Sequence, residues 1–161
     1  MKVYIKNQQR LIKVNQQRIT RLLTKALRLL GLHRAELSIF FVNDIRMRIL
    51  NREYRGVDRT TDVLSFPQND TSLSPHFIKG GLGGITNSEH LMLNFILGDI
   101  VINLHKANRQ AMEYGTTLNE ELKRLLIHGL LHLIGYNHEM GKYAERKMQK
   151  KASELFKKIK L

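Results

Sequence analysis

Residues 125–139 of the sequence read LLIHGLLHLIGYNHE and carry three of the seven histidines of the chain. If this stretch is helical as far as Ile134, His128 and His132 lie one turn apart on one face, because residues i and i+4 are neighbours on a helix surface. Gly135 is a natural end for this helix, since glycine adopts the left-handed conformation that closes many helices. Counted at 100° per residue, both imidazoles fall beside the apolar stripe of the helix, so the pattern predicts them at the edge of a core-facing helix.

The turn after Gly135 would bring a third imidazole, that of His138, back to the two on the helix. Two ligands on a helix and a third that returns after a turn predict a three-ligand site for a tetrahedral zinc ion, with its fourth position open to water. A single histidine on an apolar helix is usually a core or capping residue, but three at this spacing favour a metal site. The chain has no cysteine, so imidazole, carboxylate or water must bind any metal.

The length and composition predict one domain. The chain has 161 residues, of which 42% are hydrophobic, enough for a single core. No apolar run approaches the roughly 18 residues of a membrane span, and the first residues lack the apolar core of a secretory signal. We therefore expect residues 1–161 to form one cytoplasmic domain with no segment inserted in a membrane.

The chain carries a large excess of positive charge. Lys and Arg number 27 and Asp and Glu 14, so 27 − 14 gives a net charge of +13, and the first acidic residue is Glu36. A domain this basic attracts polyanions, of which nucleic acid is the commonest. The charge alone is also compatible with attraction to an anionic membrane surface, or with a role in solubility only.

The remaining hydrophobic patterns predict alternating strands and helices. Strands are expected around Val3 and Ile5 and at 36–42, 63–66 and 95–104; helices are expected at 19–30, 45–54, 105–114, 118–134 and 141–161. Asn43 or Asp44 is a candidate cap for the second helix, and Thr117 with Glu120 forms a capping box for the histidine helix. Residues 68–94 hold four glycines but no Gly-Lys-Ser/Thr, so we expect a flexible excursion that borders the site rather than a phosphate loop.

The chemistry of three imidazoles favours an anionic substrate. Neutral ligands leave the full charge of a zinc ion in place and lower the pKa of bound water towards ~7. Zinc peptidases of the H-E-x-x-H type carry their glutamate base after the first histidine, where this chain has Gly129. Phosphodiester cleavage relies more on groups that neutralise charge on phosphorus, and its nucleophile could be water or an RNA 2′-hydroxyl.

Four blocks of the sequence together resemble the YbeY family of endoribonucleases. They are NREYRG at 51–56, TDVLSFP at 61–67, LGDI at 97–100 and HGLLHLIGYNH at 128–138. The blocks follow the order of the family, and the resemblance extends from about residue 36 to residue 139. The resemblance implies the zincin-like α+β fold of this family, a small mixed sheet packed by about five helices.

The resemblance also implies an activity and a set of site residues. It implies one zinc ion per chain bound by His128, His132 and His138, with His128 and Arg55 in the catalytic site. Arginine suits that role, because its guanidinium binds phosphate oxygens in a fork and stays charged. From its sequence position alone, Arg55 reads as a helix-end residue that balances the helix dipole.

The implied substrate is single-stranded ribosomal RNA. The resemblance points to rRNA processing, including 3′-end maturation of 16S rRNA, and to ribosome quality control, with the ribosome or small-subunit proteins as partners and no DNA. Two positions depart from the family pattern. Asn137 replaces an aspartate and brings no charge beside His138, and Thr60 replaces a proline, which is expected only to loosen the loop.

Two other functions are compatible with the histidine pattern. One is a zinc-dependent peptidase or other metallohydrolase, against which Gly129 argues. The other is a non-catalytic, zinc-stabilised module whose basic surface binds the ribosome or RNA.

Overall fold

The computed structural model describes residues 1–68, 94–136 and 141–159. Within these ranges the strands are β1 (Lys2–Asn7), β2 (Ala35–Val42), β3 (Val63–Pro67) and β4 (Phe95–Asn103). The helices are α1 (Gln16–Leu29), α2 (Asp44–Arg55), α3 (Leu104–Glu113), α4 (Leu118–Leu133) and α5 (Lys142–Lys158). The predicted α+β class, with a small mixed sheet and five helices, is confirmed. The prediction of a flexible excursion at 68–94 lies almost wholly outside the described residues.

The four strands form one sheet in the order β1-β2-β4-β3. The first three are parallel and β3 runs antiparallel to β4. Because side chains alternate across a strand, β2 buries Leu37, Ile39 and Phe41 on one face, where the main core with α1 and α4 lies. A smaller apolar cluster that includes Met47 of α2 and Val101 of β4 packs on the opposite face. The sheet is therefore covered unequally on its two sides.

The predicted helix signals near α2 and α4 are observed. The backbone N–H of Arg46 donates to Asn43 Oδ1 at 2.9 Å, so this asparagine caps α2. The backbone N–H of Glu120 donates to Thr117 Oγ1 at 3.2 Å, and the backbone N–H of Thr117 donates to Glu120 Oε2 at 3.1 Å. This reciprocal pair is the predicted capping box, and it fixes where α4 begins.

Gly98 of β4 allows β3 and α4 to approach closely. Its φ is +142°, and a Cβ atom there would overlap the carbonyl oxygen of Phe66 and lie 3.0 Å from Leu133 Cδ2. Only glycine has neither the strain nor the overlap at this position. The glycine of the LGDI block thus sets the spacing between the strand and the helix that carry much of the site.

Buried Asn103 links α2, α3 and the loop before β3. Its amide donates to Asp44 Oδ1 at 2.8 Å and to Thr60 Oγ1 at 2.9 Å, and its Oδ1 accepts from the backbone N–H of His105 at 3.1 Å. Hydrogen bonds from Arg109 lower the pKa of Asp44 to about 2. Since Thr60 accepts a bond in this network, the prediction that it only loosens the loop is wrong.

No helix within the described ranges is both long and apolar enough to cross a membrane.

Candidate active-site cleft

A cleft of about 710 Å³ opens between the end of α2, strand β3 and the second half of α4. Its lining residues come from the 51–56, 61–67 and 128–138 blocks. They are Tyr54, Arg55, residues 61–67, His128, His132, Gly135 and Tyr136. Three separate stretches of the chain thus contribute to one concave surface, which is the usual setting of an active site.

The two described histidines lie side by side on the wall of this cleft. Their Nε2 atoms are 3.1 Å apart, and the rings meet edge to face with centroids 4.6 Å apart. Both side chains are half-buried, whereas Ile127 and Leu131 beside them are buried. The predicted position of His128 and His132 at the edge of a core-facing helix is therefore confirmed.

The separation of the two imidazoles fits shared binding of one metal ion. Two nitrogens bound at ~2.0–2.1 Å to one tetrahedral zinc ion lie about 3.3 Å apart, close to the observed distance. The third predicted ligand, His138, lies outside the described residues. In the described part of the chain, no group of three or more His, Asp or Glu side chains is placed to hold a metal. Of the three predicted zinc ligands, His128 and His132 therefore lie within the described residues.

Arg55 is the last residue of α2 and lines the same cleft as His128 and His132. Gly56 follows in the left-handed conformation, with φ of +67°, and its N–H bonds the carbonyl of Arg52. This glycine ends the helix directly after the arginine. The structure brings together the three described residues predicted for the site, and their chemical roles stay predictions.

Asp62 of the TDVLSFP block also lines the cleft, although no pattern in the sequence singles it out. Its Oδ1 accepts from the backbone N–H of Val63 at 3.0 Å, and its Oδ2 accepts from the Gln110 amide at 3.1 Å. Burial raises the pKa of Asp62, but hydrogen bonds from Gln110, the backbone and Thr61, together with the charge of Lys106, outweigh it, and the pKa falls below its ordinary value. Asp62 is therefore an ionised acceptor rather than a proton donor at neutral pH.

Gly129, which stands between the two histidines, faces the sheet and not the cleft. A Cβ atom there would lie 2.9 Å from Ile100 Cγ2 and 3.1 Å from Ser65 Oγ. The Ser65 hydroxyl donates to the carbonyl of Gly129 at 3.2 Å, which holds α4 against β3. A glutamate side chain, such as zinc peptidases carry at this position, would have no room at residue 129. Packing therefore also excludes a peptidase base here.

Replacing Gly129 with alanine should lower the free energy of unfolding by about 1–2 kcal/mol, because the cost of overpacking exceeds the gain in helix propensity. Urea denaturation measures the change. The Ile100→Ala replacement removes the nearest contact, so the double variant should lose less stability than the two single changes added together. A Gly129→Ala variant more stable than the parent chain would contradict the packing argument.

The sequence model of the family described as Endoribonuclease YbeY matches residues 4–160 of the chain. The chain belongs to the YbeY family. Its relatives include the Endoribonuclease YbeY of Aquifex aeolicus, which is 41% identical over 137 residues, or 85% of this chain and 79% of that protein. The Endoribonuclease YbeY of Syntrophus aciditrophicus is 36% identical over 157 residues, or 97% of this chain and 88% of that protein.

The fold of the YbeY-family chain is also similar to a solved structure. The solution structure of TM1509 from Thermotoga maritima superimposes with a TM-score of 0.61 at 23% identity, covering 98% of this chain and 88% of that one. The predicted family is thus confirmed, and so is the predicted enzyme class, an endoribonuclease that hydrolyses phosphodiester bonds and has RNA as its substrate. The identity of the metal and the roles of the histidines and Arg55 stay predictions.

Proposed function

We propose that this YbeY-family chain is a zinc-dependent endoribonuclease that cleaves single-stranded regions of ribosomal RNA. The observation that carries the proposal is the cleft itself. It places a guanidinium, that of Arg55, on the same surface as two imidazoles whose Nε2 atoms are 3.1 Å apart. A net charge of +13 adds a general attraction for a polyanion.

In this proposal one zinc ion per chain is held by His128, His132 and His138. Imidazole is a ligand that zinc prefers, and the separation of the two described nitrogens supports the assignment. When bound, the ion would supply positive charge at the phosphodiester and a nucleophile formed from water near neutral pH. His128 belongs to the catalytic site through this ligand role.

Arg55 binds the phosphodiester in the proposed mechanism. Its guanidinium donates two parallel hydrogen bonds to the non-bridging oxygens and orients the scissile phosphate in the cleft. As the phosphorus becomes five-coordinate, negative charge builds on these oxygens, and the fixed positive charge stabilises it. Asp62, which is ionised and hydrogen-bonded, accepts bonds but holds no proton to give to the leaving oxygen.

Single-stranded RNA fits the cleft better than a duplex. Tyr54 is exposed and Phe66 is half-buried beside the phosphate-binding residues, and unpaired bases can stack on such rings. The family resemblance supports a role in the cytoplasm in rRNA processing, including 16S rRNA 3′-end maturation, and in ribosome quality control. It also supports the ribosome or small-subunit proteins as partners.

The proposal is tested by measuring zinc per chain together with RNA cleavage, with and without a chelator. We expect about one zinc per chain, and loss of the metal should lower the cleavage rate by about a thousandfold, since a metal supplies several kcal/mol of transition-state stabilisation. Added zinc should restore the rate.

A duplex of the same sequence is the matched substrate control and should be cut more slowly. Equal cleavage by the metal-free protein would refute zinc dependence. A wild-type chain that binds zinc and RNA but never cleaves would instead favour the non-catalytic module.

A further inference from the structure

A second, smaller pocket adjoins the cleft near the junction of α2 with the sheet. Its volume is about 360 Å³, within the range of small-ligand sites. Tyr54 and Phe66 line both this side pocket and the active-site cleft, so the two are neighbours across one aromatic pair. A strand of RNA bound in the cleft would pass directly beside the side pocket.

The walls of the side pocket are suited to a flat aromatic ring. Phe40 of β2 and Leu50 of α2 contribute apolar surface, and Val101 of β4 closes the sheet side. The rings of Tyr54 and Phe66 meet edge to face with centroids 4.9 Å apart, and the tyrosine is 65% exposed. Base–aromatic stacking on such surfaces contributes about 1–3 kcal/mol per base in single-strand binding proteins.

One carboxylate, that of Asp99, faces this apolar pocket. It pairs in register with Phe66 of β3 and Ser38 of β2, so the three side chains share one face of the sheet. The side chain is half-buried, and within residues 1–68, 94–136 and 141–159 it has no hydrogen-bond or ion-pair partner. Asp99 is therefore an acceptor available to a ligand.

The charge of Asp99 limits what the pocket can bind. A carboxylate repels phosphate, so the RNA backbone does not fit beside it, whereas Arg46 at the rim can meet a phosphate outside. A carboxylate does accept a hydrogen bond from the exocyclic amino group of a base, as in contacts to cytosine N4. Uracil has no such group. At the corresponding position uracil carries the O4 carbonyl, an acceptor that a carboxylate repels, and its only base donor is the ring N3–H. A carboxylate that meets the exocyclic position therefore favours amino-bearing bases over uracil.

We propose that the side pocket binds one nucleobase of the substrate strand, next to the cleaved phosphodiester, and selects a base with an exocyclic amino group. The base stacks on the exposed ring of Tyr54 and contacts Phe66 with its edge, because the two rings are inclined by 64°. Asp99 accepts from its amino group, and Arg46 contacts the adjoining phosphate. This inference rests on the proposed function, because it assigns the base beside the phosphate that Arg55 binds.

The test compares binding of fluorescent oligocytidine and oligouridine, two single-stranded pyrimidine RNAs that differ at the amino-bearing position. Anisotropy is measured with a chelator present, so that binding is read without cleavage. Wild-type protein should prefer oligocytidine roughly tenfold, and Asp99→Asn should abolish the preference. The matched control is Glu36→Gln. Glu36 is ion-paired with Lys2 elsewhere on the sheet, so removing its charge should leave the preference for oligocytidine unchanged.

A second variant tests the stacking surface. Tyr54→Leu should weaken binding of both RNAs by roughly tenfold without changing the preference, since stacking is tolerant of base identity. Equal affinity of the wild type for the two RNAs, or an unchanged preference in Asp99→Asn, would overturn the inference. Either result is distinguishable from failure of the proposed function, which is read separately as loss of zinc-dependent cleavage by the wild type.

Discussion

Replacing His132 with alanine should abolish both zinc binding and RNA cleavage. The imidazole of His132 lies 3.1 Å from that of His128 through their Nε2 atoms, and its loss leaves the proposed ion with two protein ligands at most. Because a bound zinc ion would supply several kcal/mol of stabilisation to the transition state, the cleavage rate should fall by about a thousandfold or more. Metal analysis of the purified variant and a single-turnover cleavage assay measure the two effects.

His33→Ala is the matched control for this variant. His33 is exposed in the loop before β2 and does not line the cleft, so zinc content and cleavage should equal those of the wild type. Thermal unfolding of both variants shows whether the fold is retained. Normal cleavage by a folded, zinc-free His132→Ala protein would overturn the assignment of the metal site.

Replacing Arg55 with alanine should lower the cleavage rate by about a hundredfold to a thousandfold, the range seen when one preorganised donor to a developing oxyanion is removed. RNA binding should change little, because one charge among 27 basic residues contributes a small part of the attraction. Zinc content should be unchanged, since an arginine is not a ligand. Cleavage rates at saturating RNA, together with binding in the presence of a chelator, separate these effects.

Two further variants sharpen the test of Arg55. Arg52→Ala removes the same charge less than one turn earlier on α2, from a residue outside the cleft lining, and should cleave like the wild type. Arg55→Lys keeps the charge but loses the planar fork, so it should recover only part of the rate. If Arg52→Ala and Arg55→Ala cleave equally well, the arginine has no specific role in the cleft.

The histidine helix could be predicted from sequence because its signals are local. The capping box at Thr117 and Glu120, the apolar repeat and Gly135 all act within a few residues of one another, and each is present in the structure. The same holds for the placement of His128 and His132 at the edge of the buried face, which follows from the helical period alone.

The place of Arg55 in the cleft could not be predicted from local sequence patterns. Its position at the end of α2 was predictable, but a helix-end arginine has an ordinary explanation in the helix dipole. Only the packing of α2, β3 and α4 around the cleft places it with two histidines more than 70 residues away in the chain. The family blocks identified the residue, whereas composition and periodicity did not.

The structure gives Gly129 and Asp62 roles that the sequence does not predict. The sequence presented Gly129 as a missing catalytic base, and the structure shows a contact surface against Ile100 and Ser65 that admits no side chain. In the sequence, Asp62 is one acidic residue of the TDVLSFP block. Its lowered pKa depends on a hydrogen bond from Gln110, which lies 48 residues further along the chain. Such contacts are absent from any local pattern.

The helices and strands, the glycines that end helices, the pair of helical histidines and the family could all be predicted from the chain without a structure. These follow from side-chain period, capping chemistry and motif spacing, which act over a few residues of chain. Tertiary packing brings Arg55 and Asp62 into one cleft with His128 and His132, and it places a second pocket with Asp99 beside this cleft. Those neighbours are set by how strands pair and helices pack, since long-range contacts depend on the whole core rather than on any one segment.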